Sequence, residues 1–144
     1  MADSSLIPVD LVALVEDQAS SSPIVILHDR RQNRLLPIWI GDPEARAIAI
    51  ALNRMSTPRP MTHALVLQII EKMNGKLSRI VVDRLKNNTY FASLHINMTE
   101  RAISIDARPS DAIAVALFSQ QEMAKLKELL EKARERERKS GGER

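Results

Sequence analysis

Five ionisable residues stand beside the starts of predicted helices, where their side chains could take part in chemistry. Asp42 with Glu44, and Asp106 with Asp111, form two carboxylate pairs at strand-to-helix junctions. Carboxylate oxygens are ligands that Mg²⁺ and Mn²⁺ prefer, so these pairs could hold a divalent metal. His63 opens another predicted helix, where the helix dipole disfavours a cation. A neutral imidazole at that position suits general-base chemistry.

Each of these residues also has a purely structural interpretation. An acid in the first turn of a helix stabilises the dipole or caps free N–H groups, which applies to Asp42, Glu44 and Asp111. Asp106 ends a strand and can pair with Arg108 or cap the next turn. Arg108 can clamp a phosphate through two parallel hydrogen bonds, or it can form an ion pair. The histidine can simply make a hydrogen bond at its helix N-terminus.

Apolar periodicity along the chain predicts six strands and three helices that would position these side chains. Asp42 and Thr62 are the expected N-caps of the first two helices, and Pro109 opens the third. Pro37 lacks a ladder donor, which predicts an edge strand or a bulge. These elements predict an α+β fold with a mixed, mostly antiparallel sheet and buried, alanine-rich helices. The strands cover residues 9–16, 24–28, 34–40, 76–85, 89–97 and 101–107, and the first two helices cover residues 43–55 and 63–73.

A tandem repeat of a three-strand-plus-helix unit would relate the two halves of the chain at an offset of 65 residues. The segment IAIAL at 48–52 matches IAVAL at 113–117, and Ile38 matches Ile103. The repeat would make the two carboxylate pairs equivalent. The alternative is that any three-stranded meander followed by a helix would align this well.

The composition describes a folded chain without a strongly basic or aromatic surface. The chain has 144 residues, 44% of them hydrophobic, a net charge of +3 and no cysteine. The lack of cysteine excludes a disulfide scaffold and a cysteine nucleophile. Four aromatic residues are too few for a base-stacking platform. No apolar run is long enough to span a membrane, and residues 1–8 lack the charged start of a signal peptide, so we expect a cytoplasmic location.

Residues 1–120 are predicted to form the domain, and residues 121–144 a charged helical extension with a disordered end. The helices at 45–52 and 112–118 are apolar almost all round. A sheet covers only one side of a helix, so bare apolar surface should remain. We therefore expect a homodimer that covers part of the helical surface or the neighbouring strands.

Three segments resemble the signatures of the bifunctional nuclease family, whose plant members cut both DNA and RNA. The first contains Glu44, the second contains Arg59 and His63, and the third contains Asp106, Arg108 and Asp111. They occur in the family's order and span most of the chain. The segments are residues 36–41 (LPIWIG) followed by Glu44-Ala45 and Ala47-Ile48, residues 58–63 (PRPMTH), and residues 106–114 (DARPSDAIA).

The resemblance implies a nuclease that hydrolyses phosphodiester bonds of DNA and RNA with low sequence specificity. This reaction needs an activated water and charge neutralisation at phosphorus, often supplied by metal ions on carboxylates or by a histidine. The expected catalytic residues are Glu44, His63, Asp106 and Asp111, with Arg59 and Arg108 binding the substrate. Glu44, Asp106 and Asp111 are the expected ligands of Mg²⁺ or Mn²⁺.

The alternative is a non-catalytic interaction or regulatory domain. The small basic excess and the lack of a compact catalytic motif favour this interpretation. Ala64 favours it too, because the family usually has Asp directly after the Thr-His pair.

Overall fold

The computed structural model describes residues 6–141, except for the side chains of residues 121–127. The described residues form six strands and three helices, which confirms the predicted α+β fold. Every predicted strand is present within one or two residues of its expected bounds. The elements are β1 (Asp10–Glu16), β2 (Pro23–Asp29), β3 (Arg34–Trp39), α1 (Asp42–Leu52), α2 (Thr62–Lys72), β4 (Lys76–Lys86), β5 (Thr89–Asn97), β6 (Ala102–Ala107) and α3 (Pro109–Gly141).

The strands form two separate antiparallel sheets rather than one mixed sheet. The first sheet has the order β1-β2-β3 and the second the order β4-β5-β6. Each sheet is a meander because short turns return each strand to its neighbour. Asn87 and Asn88 form the turn between β4 and β5, with φ of 52° and 58°. Pro37 lies in β3, an edge strand, as predicted.

The first turns of α3 lie between two hydrophobic cores. Ala112 and Val115 pack in the core of the second sheet and α2. Ile113 and Ala114 pack in the core of the first sheet and α1. All four are at most 4% exposed. Alanine on such a helix lets neighbouring elements approach closely, so residues 112–115 of α3 are buried within one chain.

Helices α1 and α2 each start one residue earlier than predicted, at the residue that was expected to be the N-cap. Asp42 and Thr62 are the first helical residues, and the N-caps are Gly41 and Met61, which make no side-chain cap hydrogen bond. The two predicted caps are therefore wrong. Polar side chains in the first turn of each helix can therefore make contacts outside their own helix.

The tandem repeat is not confirmed by the strand registers. Both halves have the same element order, but Val15 pairs with Ile24 while the equivalent Ile80 pairs with Leu94 rather than Thr89. The β4–β5 hairpin is longer than the β1–β2 hairpin, so the offset of 65 residues does not relate the paired residues.

Helix α3 continues without interruption from the core into the charged extension. Residues 128–141 are exposed. Ser140 and Gly141, expected to be disordered, are helical, and residues 142–144 lie outside the described residues. None of the helices in the described part of the chain is both long and apolar enough to cross a membrane.

The position of α3 between two cores predicts that Ala114 tolerates no larger side chain. Ala114→Leu should lower the free energy of unfolding by about 1–3 kcal/mol, because the extra volume must displace packed neighbours. The matched control is Ala133→Leu, the same exchange on an exposed turn of the same helix, with an expected change within about 0.5 kcal/mol. Urea unfolding measures both. Equal stability of Ala114→Leu and the natural sequence would show that the contact between the cores is loose.

Candidate active site

The Arg108 guanidinium joins two carboxylates from different helices. Its Nε and Nη2 donate to Asp111 at 2.9 and 3.1 Å, and its Nη1 donates to Glu44 Oε1 at 2.7 Å. The pair with Asp111 is bidentate, the arrangement that best fixes the orientation of both groups. Glu44 lies in α1 and Asp111 in α3, so Arg108 ties the two helices together.

His63 extends this group through Asp111. Its Nε2 lies 2.9 Å from Asp111 Oδ1. The His63 side chain is 15% exposed and the Asp111 side chain 29% exposed, so both are partly shielded from water. We call Glu44, His63, Arg108 and Asp111 the polar cluster.

Three helix N-termini position the polar cluster. Glu44 and Asp111 lie in the first turns of α1 and α3, and His63 is the second residue of α2. Arg108 directly precedes α3. The helices converge there because α1 and α2 both pack against α3. Their dipoles make this region favourable for carboxylates and for other anions.

Gly41 leaves the space that the Glu44 carboxylate occupies. A Cβ atom built on Gly41 would overlap the Oε2 atom of Glu44. The carboxylate can therefore fold back over the start of α1 and still reach Arg108. Gly41 is a positioning residue that the sequence analysis missed, and the GDPE sequence gave no signal beyond a helix start.

Hydrogen bonds hold the pKa of both carboxylates below their ordinary values. For Glu44 the largest cause is its own backbone N–H, followed by Arg108. Burial alone would raise the pKa of Asp111, but hydrogen bonds from Arg108 and His63 outweigh it. The same contacts, with Asp111 first, raise the pKa of Arg108 further above its ordinary value. At neutral pH the cluster thus holds two carboxylates and one guanidinium.

Arg108 retains donors that face the solvent. A guanidinium has five N–H groups, and three of them bind Glu44 and Asp111. The Arg108 side chain is 64% exposed. The remaining N–H groups can therefore donate to an anion that approaches from solution.

The structure places two predicted site residues outside the polar cluster. Asp106 is exposed on β6, directly opposite Ser93 of β5. Arg59 is exposed in the loop between α1 and α2, where its carbonyl accepts a hydrogen bond from Thr57. Within the described residues, neither side chain forms a hydrogen bond or ion pair with the cluster. Their predicted roles remain predictions.

Two of the three predicted metal ligands lie in the cluster, and the third does not. Glu44 and Asp111 share Arg108, whereas Asp106 is on the second sheet. No three His, Cys, Asp or Glu side chains among the described residues form a group that could hold a metal ion by themselves. Mg²⁺ is commonly held by one or two carboxylates together with substrate phosphates. The donor set therefore fits a metal that arrives with a phosphate-containing ligand.

The sequence did not indicate a polar contact between Ser93 and His95 on the second sheet. Ser93 Oγ lies 3.0 Å from His95 Nε2. The two residues are two apart on β5, a spacing that puts both side chains on one face of a strand. That spacing was visible in the sequence, but it is common and carries no signal of chemistry alone.

Known proteins resemble most of this chain. The sequence model of the bifunctional nuclease domain family matches residues 25–138. An uncharacterised protein of Mycobacterium tuberculosis is 36% identical over 109 residues, which cover 76% of this chain and 65% of the relative. The chain thus spans just under two thirds of the length of that protein.

Plant proteins named as nucleases are more distant. Bifunctional nuclease 1 of Oryza sativa subsp. japonica is 28% identical over 108 residues, which cover 73% of this chain and 33% of the rice protein. Bifunctional nuclease 1 of Arabidopsis thaliana is 28% identical over 104 residues, covering 70% and 32%. The family match contains every residue of the polar cluster, most of β2, all elements from β3 to β6 and most of α3, while β1 precedes it. On this evidence the chain belongs to the bifunctional nuclease domain family.

Proposed function

We propose that this protein is a nuclease that hydrolyses phosphodiester bonds of DNA and RNA with low sequence specificity. The observation that carries the proposal is the polar cluster, which joins a histidine, two carboxylates and a solvent-facing guanidinium within the family's matching region. No described helix presents a cluster of Arg, Asn and Gln of the kind that reads base edges. Cleavage should therefore depend on the sugar-phosphate backbone rather than on sequence.

His63 is the proposed general base. An ionised Asp111 can only accept hydrogen bonds, so the 2.9 Å contact assigns the proton to His63 Nε2. The lone pair then lies on Nδ1. A water beside Nδ1 transfers its proton to that nitrogen as its oxygen attacks phosphorus, and the P–O bond to the leaving oxygen breaks. Asp111 holds the ring in this tautomer and stabilises the imidazolium that forms.

Arg108 is the proposed phosphate-binding residue. Its unused N–H groups can donate to the non-bridging oxygens, whose negative charge grows in the transition state. Glu44 and Asp111 fix the guanidinium, so little side-chain entropy is lost when the phosphate binds. Arg59, exposed on the adjoining loop, is proposed to contact the nucleic acid further along the backbone.

A divalent metal is part of the proposal. The cluster carries two carboxylates against one guanidinium, so an anionic phosphate meets excess negative charge. Mg²⁺ or Mn²⁺ held by Glu44 and Asp111 would neutralise this charge at phosphorus.

A non-catalytic role is the second candidate. The contacts that orient Arg108 also tie α1 to α3, and His63 ties α2 to the same carboxylate. A purely structural cluster would make the same contacts.

We also propose that the protein is cytoplasmic and that it forms a homodimer. The proposal of a homodimer rests on the exposed apolar surface of the described chain.

Replacement of His63 separates the two candidate functions. His63→Gln keeps a donor for Asp111 but removes the base, so we expect cleavage of labelled DNA and RNA to fall about 10²- to 10⁴-fold. Thermal unfolding should change little. The matched control is His28→Gln, an exchange at a histidine of the first sheet whose ring lies 3.0 Å from Asn33 Oδ1 and which should keep full activity. A fully active His63→Gln protein would end the assignment of His63 as the base.

Chelation tests the metal. We expect EDTA to reduce cleavage at least about tenfold and added Mg²⁺ or Mn²⁺ to restore it, because the cluster alone leaves excess negative charge beside the phosphate. Cleavage that is indifferent to EDTA would contradict this part of the proposal.

The same cleavage assay tests the predicted role of Asp106. Loss of activity in a stable Asp106→Asn protein, against an unaffected Asp83→Asn control on exposed β4, would support its predicted role as a ligand.

The lowered pKa values predict how the cluster stabilises the fold at different pH. Unfolded Glu and Asp titrate near 4.5 and 3.8, and both folded values are lower. The stabilisation is therefore fully present above about pH 5 and is lost as the pH falls through the folded values. Arg108→Met should cost about 1 kcal/mol at pH 7 and progressively less below pH 4.5. Urea unfolding of both proteins across this range measures the difference. A pH-independent cost would mean that the methylene groups of Arg108, rather than its charge, stabilise the fold.

A further inference from the structure

The first sheet turns an apolar face to the solvent. Strand side chains alternate between the two faces of a sheet, and Val25, Leu27 and Ile38 point into the core. Their neighbours point outward. Val15 pairs with Ile24, which pairs with Trp39, and Ile26 pairs with Pro37. We call this surface the apolar face, and it consists of Val15, Ile24, Ile26, Leu35, Pro37 and Trp39.

The apolar face is exposed in the single chain. Leu35 is 62% exposed, Trp39 56% and Val15 42%. Pro37 is exposed as well, Ile24 and Ile26 are partly exposed, and His28 lies beside Leu35 at the edge of the face. Contiguous apolar patches of a few hundred Å² on soluble monomers are often functional. Such a continuous patch costs free energy in water and marks a binding surface.

The second sheet provides an internal comparison. It has the same topology, but its outer face is mainly polar. The apolar residues of that face are Val81 and Phe91, and Arg84 lies over the Phe91 ring. Arg79 pairs with His95, which pairs with Ser104, and Asp106 lies on the same face. The fold therefore does not require an apolar outer face on a three-stranded meander. Only the first sheet carries one, which points to a partner for that sheet.

Trp39 is held in a fixed orientation on this face. Its Nε1 donates to Asp17 Oδ2 at 3.0 Å. Asp17 is fixed in turn by hydrogen bonds from Ala19 N and Ser20 Oγ. Its pKa is lowered, with the indole contact as the largest cause. An exposed, pre-oriented tryptophan is the kind of residue that anchors protein interfaces.

The charges at the two ends of the first sheet favour a second copy as the occupant. Glu16 and Asp17 lie at the turn between β1 and β2. The opposite end, the turn between β2 and β3, carries Arg30, Arg31 and Arg34. Two of these arginines pair with Asp10 and Asp29, which leaves this end with net positive charge.

A two-fold axis across the strands would bring opposite charges together. It packs the apolar faces of two copies with their strands antiparallel, so each acidic turn meets the arginine turn of the partner. A standard interface buries roughly 800 Å² per partner, so we expect the two charged ends to be buried together with the apolar face. Face-to-face packing of two sheets is also a common way to bury apolar strand residues.

We propose that two copies of this chain dimerise through the apolar face of the first sheet. This inference rests on the proposed homodimer and is independent of the nuclease chemistry. The sequence suggested part of the helical surface or the neighbouring strands as the interface, and this inference assigns it to β1, β2 and β3. The polar cluster is built from three helix N-termini and lies in neither outer face, so a dimer of this kind leaves it accessible.

Dimer dissociation can be followed by mass and by fluorescence. Trp39 is the only tryptophan of the chain, so its emission reports directly on the apolar face. Light scattering should give twice the chain mass of 16.2 kDa at micromolar concentration. Dilution below the Kd should halve the mass and shift the emission maximum to the red.

Charge insertion on the two outer faces provides matched variants. Leu35→Arg places an unpaired charge in the proposed interface and should raise the Kd at least about 100-fold, with red-shifted emission at all concentrations. Val15→Lys, on another strand of the same face, should do the same. Ser104→Arg on the polar outer face of the second sheet is the control and should leave the Kd unchanged. Circular dichroism and thermal unfolding check that each variant is folded.

The outcomes separate the surface from the homodimer. A natural protein that stays at 16.2 kDa at every concentration overturns both proposals. A stable dimer that survives both Leu35→Arg and Val15→Lys keeps the homodimer but overturns the apolar face as its interface. Dissociation by Ser104→Arg alone would place the contact on the second sheet and overturn the apolar face as the interface. Nuclease activity enters none of these results.

Discussion

The burial of opposite faces of α3 in two hydrophobic cores determines most of this structure. Ala112 and Val115 belong to one core, and Ile113 and Ala114 belong to the other. The two sheets do not pair with each other, and both cores share α3 together with Ile80 and Val82 of β4. The first turns of α3 therefore stabilise both halves of the chain at once. Any shift of the helix would loosen two cores, which gives its N-terminus a well-defined position.

That position makes the polar cluster possible. α1 and α2 both pack on α3, and their N-terminal turns lie beside its own. Three helix N-termini in one place favour carboxylates, but two carboxylates together repel each other. Arg108 offsets the repulsion by binding both, and the resulting contacts stabilise the fold and orient His63 with the same hydrogen bonds. The contacts that stabilise the fold are therefore also the contacts that pre-organise the site.

The two sheets share a topology but present different surfaces to the solvent. The second sheet exposes Arg79, Ser104 and Asp106, which water solvates well. The first exposes Trp39 and Leu35. Burial of the first turns of α3 within one chain removes part of the helical surface that suggested a dimer, while α2 still exposes Leu65 and Ile69. The proposed dimer uses the outer face of the first sheet, where the oriented Trp39 and the charged ends favour a second copy.

The sequence by itself determined the element order, the strand bounds and the tight turn at Asn87 and Asn88. These depend on alternation, apolar periodicity and turn propensity, which act over a few residues. It also identified the ionisable residues near helix starts. Local signals misplaced both helix caps by one residue, because a cap depends on the path of the chain before the helix.

Only the tertiary structure decided which of these residues meet. Arg108 binds Glu44 across 64 positions, and Asp111 binds His63 across 48. Asp106 is two residues from Arg108 yet lies outside the cluster, because the pleat of β6 directs it to the outer face of the second sheet. Contacts between distant segments depend on how helices pack against a shared core, and the free energy of that packing is not encoded in any one segment.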